Sequence, residues 1–266
     1  MSFQQRLFEL YIIKIFFKLK FYMENLHKFL VANKVKNILA VFAHPDDESF
    51  VSGGLFQELQ KLNIQANLIC LTKGGRGLNP HRRGNLKEIR TGELEKAVKI
   101  LGIDNCQLWD FPDADLKSTK DKWLTVLKNE VEKIKPDLIL TFDPSGITGH
   151  PDHIVSCIET LDAVKKLKNP PIVIWRVPDE QEKLYFKNNK ALMFACVPNL
   201  VLNYGLTESL NKIKAIFSHA SQMKSLRFKL QILEWFLFDH KEFYYKVNLN
   251  QKYKYKFVYY RIDKDS

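Results

Sequence analysis

Long uncharged stretches are missing from this 266-residue chain. No run of about 20 uncharged apolar residues occurs, which disfavours a membrane-spanning helix. Cysteine is scarce, with only Cys70, Cys106, Cys157 and Cys196, and no two of them form a C-x-x-C pair. That spacing cannot assemble a thiolate zinc site, and a chain of this length needs no disulfide scaffold, so a reducing cytoplasm fits best. Cys70 and Cys106 stand in apolar runs and are expected in the core. Neither G-x-G-x-x-G nor a Walker pattern follows the first apolar run, which argues against a nucleotide-binding protein. Internal repeats and Pro/Ser-rich linkers are also missing, so one domain with appendages is expected.

What is present is an ordinary globular balance, 45% hydrophobic and 27% charged, with an uncommon formal charge of +11. The positive excess favours anionic company: phosphate-bearing substrates, acidic membrane surfaces or nucleic acid. Nucleic acid is set aside, because no recognised module accompanies the charge. The Tyr/Lys-rich ending, KEFYYKVNLNQKYKYKFVYYR, reads as an edge hairpin protected by lysine. Near the start, LFELYIIKIFFKLKFYMENLHKFL is apolar and basic. It reads either as an interfacial helix making peripheral membrane contact or as a helix packed on the protein's own body. The interrupted apolar stretch argues against a cleavable signal.

Strand and helix signals alternate along the middle. NILAVFA (37–43), QANLICLT (65–72), NCQLW (105–109) and DLILTF (137–142) suit buried strands. Helical spacing follows at 51–62, 86–101, 120–135 and 151–167. This order predicts a parallel sheet covered by helices. Further on, 171–177 and 191–197 are expected as strands, antiparallel additions at the sheet's edge, followed by helices at about 207–220 and 222–238.

Two loops concentrate acid and histidine where strands end. AHPDDE (43–48) follows the first strand, and DPSGITGHPDH (143–153) follows DLILTF. In parallel α/β sheets, ligand groups gather past the carboxyl ends of the strands. Imidazole and carboxylate are the ligand types of catalytic zinc. His44 and Asp47, three residues apart on a tight turn, can face one ion, with His153 the favoured third ligand. Asp46 is then left unligated beside a metal-bound water, where a carboxylate can accept a proton. Glu48 is left as a helix-start carboxylate favoured by the dipole. The loop KGGRGLNPHRRG (73–84) is read as a grip for phosphate or as a solvated loop beside the site.

With these marks in hand, the sequence resembles the PIG-L family of de-N-acetylases, also called LmbE-like deacetylases. AHPDDE, GHPDH (149–153), the R-x-x-E of Arg90 to Glu93 and KIKAIFSHASQ (212–222) carry the resemblance, which spans about 36–225. It implies a Rossmann-like, mostly parallel sheet with helices on both faces, an N-terminal helical extension over 1–35 and a C-terminal segment over 226–266 packed on the same domain. It implies a zinc-dependent hydrolase that removes the acetyl group from an N-acetylglucosamine-type sugar or glycoconjugate, lipid- or phosphate-linked substrates included. Fe(II) or another divalent ion suits the same ligand set. By the resemblance, His44, Asp47 and His153 are the metal ligands and Asp46 the general base. His150 is the oxyanion-stabilising group, with imidazolium as one form, and Arg90 is a substrate contact. A solvated arginine paired with Glu93 or Glu88 is the other reading of Arg90. Asp113 either bonds a sugar hydroxyl or serves the turn after Pro112. Some members carry a tyrosine two residues before the first histidine of HPDH; here that residue is Thr148. A catalytically silent sugar- or lipid-binding protein on the same fold is the alternative, and a homo-oligomer is compatible with either.

Overall fold

A computed structural model describes residues 23–77, 79, 84–223, 225–238 and 240–253. Among these residues, the apolar runs become strands of one sheet: β1 (Glu24–Asn25), β2 (Asn37–Phe42), β3 (Gln65–Cys70), β4 (Asn105–Leu108), β5 (Leu138–Phe142), β6 (Ile172–Val177), β7 (Leu200–Asn203) and β8 (Lys241–Lys246). Their order is β1-β7-β8-β6-β5-β2-β3-β4. The five strands β6, β5, β2, β3 and β4 run parallel, and β8 lies antiparallel between β6 and β7. β2 and β5 are buried along nearly their whole length, as expected of strands covered on both faces.

The helices are α1 (Leu26–Ala32), α2 (Asp47–Lys61), α3 (Leu86–Leu101), α4 (Lys120–Ile134), the single turn α5 (Gly146–Gly149), α6 (Pro151–Val164), α7 (Glu180–Tyr185), α8 (Leu206–Ser218) and α9 (Leu226–Phe238). α2, α3 and α8 pack on one another, α9 packs on α8, and α4 packs on α6. From β2 the sheet runs through β3 and β4 in one direction, and through β5 and β6 in the other. The gap between the carboxyl ends of β2 and β5 is therefore the topological switch point, where ligands gather in open α/β sheets. The register Ile38↔Leu138 to Ala40↔Leu140 brings the loops after Phe42 and Phe142 side by side.

Three expectations are corrected. The stretch 191–197 is not a strand. Asn189 accepts the Ala191 amide at 2.8 Å and opens a 3-10 turn over Lys190–Phe194, and the strand forms later, at β7. β6 is not an antiparallel addition but continues the parallel order beside β5. Cys106 is exposed rather than in the core, because β4 is the outermost strand. At the other end, α1 buries Leu26, Phe29 and Leu30 and packs on β7, so this part of the N-terminal apolar stretch lies on the protein's own body. Residues 1–22, on which the interfacial reading rests, lie outside the described residues. None of the described helices is long and apolar enough to cross a membrane.

Candidate active site

Pro45 leads into the first acidic turn, and Asp46 adopts φ 116°, a left-handed angle that is costly for a residue with a Cβ. Several bonds hold it there. Its amide donates to Glu48 at 3.0 Å, and its carbonyl accepts the Ser49 and Phe50 amides at 3.1 and 3.0 Å. Arg90 is buried, not solvated. Its guanidinium donates to the Pro45 carbonyl, to Gly74 O at 3.2 Å and to the Asp46 carboxylate at 3.2 Å. The strained turn aims Asp46 into a cavity of about 510 Å³ lined also by His44, Asp47, Arg90, Asp113, His150 and His153.

Hydrogen bonds decide where the histidine lone pairs point. His153 Nδ1 lies 3.0 Å from the Gly146 carbonyl, so it carries the proton and leaves Nε2 as a lone pair. His44 Nε2 faces two carboxylates, Asp113 at 3.1 Å and Asp152 at 3.3 Å, which places its proton there and turns Nδ1 inward. His44 Nδ1 and His153 Nε2 are 3.2 Å apart, and Asp47 Oδ1 is 3.2 Å from His153 Nε2. The other Asp47 oxygen accepts the His44 amide at 2.8 Å. As neutral imidazoles, the two rings therefore turn their lone pairs toward each other, with an Asp47 carboxylate oxygen beside them. For bonds of about 2.1 Å, a tetrahedral cation separates its ligands by roughly 3.4 Å; the two 3.2 Å separations, and the 3.7 Å between His44 Nδ1 and Asp47 Oδ2, lie near that spacing.

Other donor sets are less suitable. His150 also brings a nitrogen within 4.8 Å of those of His44 and His153. Its Nδ1 lone pair is spent on the Asp152 amide at 3.2 Å, where it caps α6. Asp113 and Asp152 approach His44 as closely, but each also accepts backbone amides: Arg76 N for Asp113, Ala114 N and Leu116 N for Asp152. They orient the imidazole in the manner of outer carboxylates around metal-bound histidine.

Electrostatics favour positive charge at this point. Burial opposes protonation of His44, but Asp113, Asp152 and Asp47 outweigh it and push its pKa up to about 10. A cation taken up there competes with that proton for one lone pair. Burial alone would raise Asp47, yet His153 and His44 pull it down to about 2. Asp46 is raised by burial and by Asp47, against the pull of Arg90. Burial and the neighbouring His153 and His44 push the His150 pKa down to about 4, which favours the neutral imidazole with Nε2–H as its donor.

Glu48 and the supporting motifs have tasks that the sequence reading did not assign. Glu48 accepts His219 at 2.8 Å and Ser49 Oγ at 2.5 Å. Glu93, one helical turn after Arg90, accepts both the amide and the hydroxyl of Ser221 at 2.7 Å. HASQ is thus tied to the acidic turn directly, through Glu48, and again through α3. Asp152 carries no role in the sequence reading beyond the helix start, because a carboxylate there has a sufficient local explanation. Its position inside HPDH was the available signal.

Fold and cavity are those of an α/β protein with its site at the switch point, and the relatives by sequence, which are named deacetylases, make the chain a hydrolase of the deacetylase class. The chain belongs to the PIG-L family: the family model for GlcNAc-PI de-N-acetylase matches residues 39–165. It is 31% identical over 196 residues to Probable N-acetyl-alpha-D-glucosaminyl L-malate deacetylase 2 of Bacillus anthracis, covering 70% of this chain and 81% of that protein. The N,N'-diacetylchitobiose deacetylase of Pyrococcus horikoshii superposes with TM-score 0.61 at 21% identity, covering 88% of this chain and 83% of that one. A teicoplanin deacetylase solved in a zinc-inhibited form gives TM-score 0.60 at 14% identity, covering 80% and 99%.

Proposed function

We propose that the chain removes the acetyl group from an N-acetylglucosamine-type glycoconjugate, with His44 Nδ1, Asp47 and His153 Nε2 holding a divalent cation, zinc in the first instance. The observation that carries this reading is the convergence of His44 Nδ1, His153 Nε2 and an Asp47 oxygen beside a fourth group, Asp46, that is not one of them. A purely binding protein has no use for that spare carboxylate. When bound, the cation supplies Lewis acidity, polarising an acyl oxygen and acidifying water.

The chain's own residues do the rest. Asp46 takes the proton of the attacking water, and its raised pKa brings it nearer the working range of a general base. Arg90 holds the carboxylate in place while Glu48 secures its backbone. His150 donates from Nε2 to the acetyl oxygen as negative charge develops there, an interaction strongest in the transition state. The proton on Asp46 then passes to the departing amine, leaving acetate and a free amino sugar. Thr148 accepts the His150 amide at 3.3 Å, so its hydroxyl serves the loop.

Acetate release from N-acetylglucosaminyl substrates, measured with protein loaded with zinc or Fe(II), tests the reading. Asp46→Asn is expected to lower kcat by about 10²–10⁴ with metal content unchanged. Near-normal turnover in that variant would remove Asp46 from the mechanism.

A further inference from the structure

The cavity has two unlike ends. One is the polar cluster just described. The other is a wall of rings: Phe50 from α2, Tyr185 and Phe186 at the end of α7, and Phe228, Trp235 and Phe236 from α9. The rings pack on one another. Phe50 stacks on Phe228 with centroids 6.4 Å apart, and Tyr185 meets Trp235 edge-on at 5.2 Å and Phe228 at 6.5 Å. Except for Phe50, all of these residues lie outside the stretch 39–165 matched by the family model, so the wall is built from this chain's own C-terminal part.

The rings themselves offer few hydrogen-bond partners to a hydroxylated group. Gln181 and Lys241 also line the cavity, with Asp179 and Glu182, whose carboxylates are engaged. Asp179 accepts the Glu182 amide at 2.7 Å, and Glu182 accepts the Asp179 amide at 2.8 Å and Arg176 through both oxygens at 3.0 Å. A second sugar ring placed here would lose water from its hydroxyls without full replacement. An apolar group loses nothing polar and gains contact with six rings. The cavity is also of a size for drug-like ligands, more than one hexosamine fills.

We propose that this wall is an aglycone subsite, and that the substrate is an N-acetylglucosamine-type glycoside bearing an apolar aglycone. The sugar end rests on the deacetylase reading above. Two sources share this chemistry, an alkyl chain and a flat aryl group, and separate probes distinguish them.

The test measures binding of the methyl, octyl and phenyl glycosides of N-acetylglucosamine, and of N,N'-diacetylchitobiose, to full-length metal-loaded Asp46→Asn protein by calorimetry. Acetate release by the wild type is followed in parallel. The octyl glycoside, the phenyl glycoside or both are expected to bind at least tenfold more tightly than the methyl glycoside and the disaccharide. An octyl preference alone assigns a chain, and a phenyl preference alone a planar group. Phe228→Ser and the partly exposed Tyr185→Ser, checked for folding by circular dichroism, should each bring the ratio toward one. Equal binding of all glycosides, tighter binding of the disaccharide, or a preference unaltered in both folded variants overturns the proposal. If the preference holds while the wild type releases no acetate, the subsite stands and the deacetylase reading falls.

Discussion

At the scale of single residues, the acidic turn was legible because its chemistry exceeds what a turn needs. His44, Asp46, Asp47 and His153 stand out by type and spacing, and the structure brings all four to one cavity. Arg90 was not legible in the same way. On an amphipathic helix an R-x-x-E pair looks solvated, and only the fold shows that Arg90 is buried beneath the acidic turn. Asp113 had two readings, and its actual partner, His44 Nε2 at 3.1 Å, lies 69 positions away in the chain, beyond the reach of local pattern. Two predictions belong here. Asp113→Asn removes one of the two carboxylates that orient His44 and should weaken metal affinity by about 10–100-fold, read by competition with a chelating dye. Arg90→Met removes the positive charge that holds the Asp46 pKa down. If ionised Asp46 is the working form, activity rises with pH through its pKa. The acid limb of kcat/KM should therefore move to higher pH in the variant, by about one unit or more. A limb that stays in place would assign it to another group.

At the scale of elements, helix positions were readable and breaks were not. The sequence reading starts the second helix at 51, whereas α2 starts at Asp47 and is interrupted at Ser52, which has φ −143°. Its first turns are buried all round and carry chemistry, so they show no amphipathic period. The break is supported by distant residues. Arg176 Nε donates to Val51 O at 2.8 Å, and Glu242 accepts the Gly54 and Leu55 amides at 2.8 and 2.9 Å while paired with Lys212 at 2.7 Å. The strap from Glu48 to His219 fixes the first half of α2 against the end of α8, and both side chains are buried. His219→Phe leaves Glu48 charged and without its partner, so a loss of about 3–5 kcal/mol is expected in urea unfolding. The wild-type pair also has a pH signature. The His219 pKa is raised: burial opposes this, but Glu48 outweighs it. The Glu48 pKa is lowered, burial being overcome by His219. The His219 contribution is complete below its unfolded value of 6.5 and fades as pH rises through the higher folded value. That of Glu48 is complete above 4.5 and fades as pH falls through the lower folded value. The stability difference between wild type and variant should therefore be greatest between these two unfolded values and shrink on either side.

At the scale of the whole molecule, alternation of strand and helix gave the parallel half of the sheet, because each βα unit is a local pattern. The other half depends on β8 returning from residue 241 to lie between β6 and β7, a pairing of long sequence separation that no local period encodes. The proposed metal centre has the same character. Its candidate ligands come from loops a hundred residues apart, held in register by β2 beside β5. The convergent donors therefore form only when that register forms, and a cation that binds them stabilises the folded sheet. A ligand binding only the folded state at 100 times its Kd adds about 2.7 kcal/mol. For a domain of this size that corresponds to a rise in Tm of roughly 5–10 °C. Thermal melts with and without zinc or Fe(II) measure the shift, and Asp47→Ala should abolish most of it. Asp46→Asn should keep the shift while losing turnover, since its carboxylate is not among the three donors. A shift lost in both variants alike would place Asp46 among the ligands, and one kept in both would put the ion elsewhere.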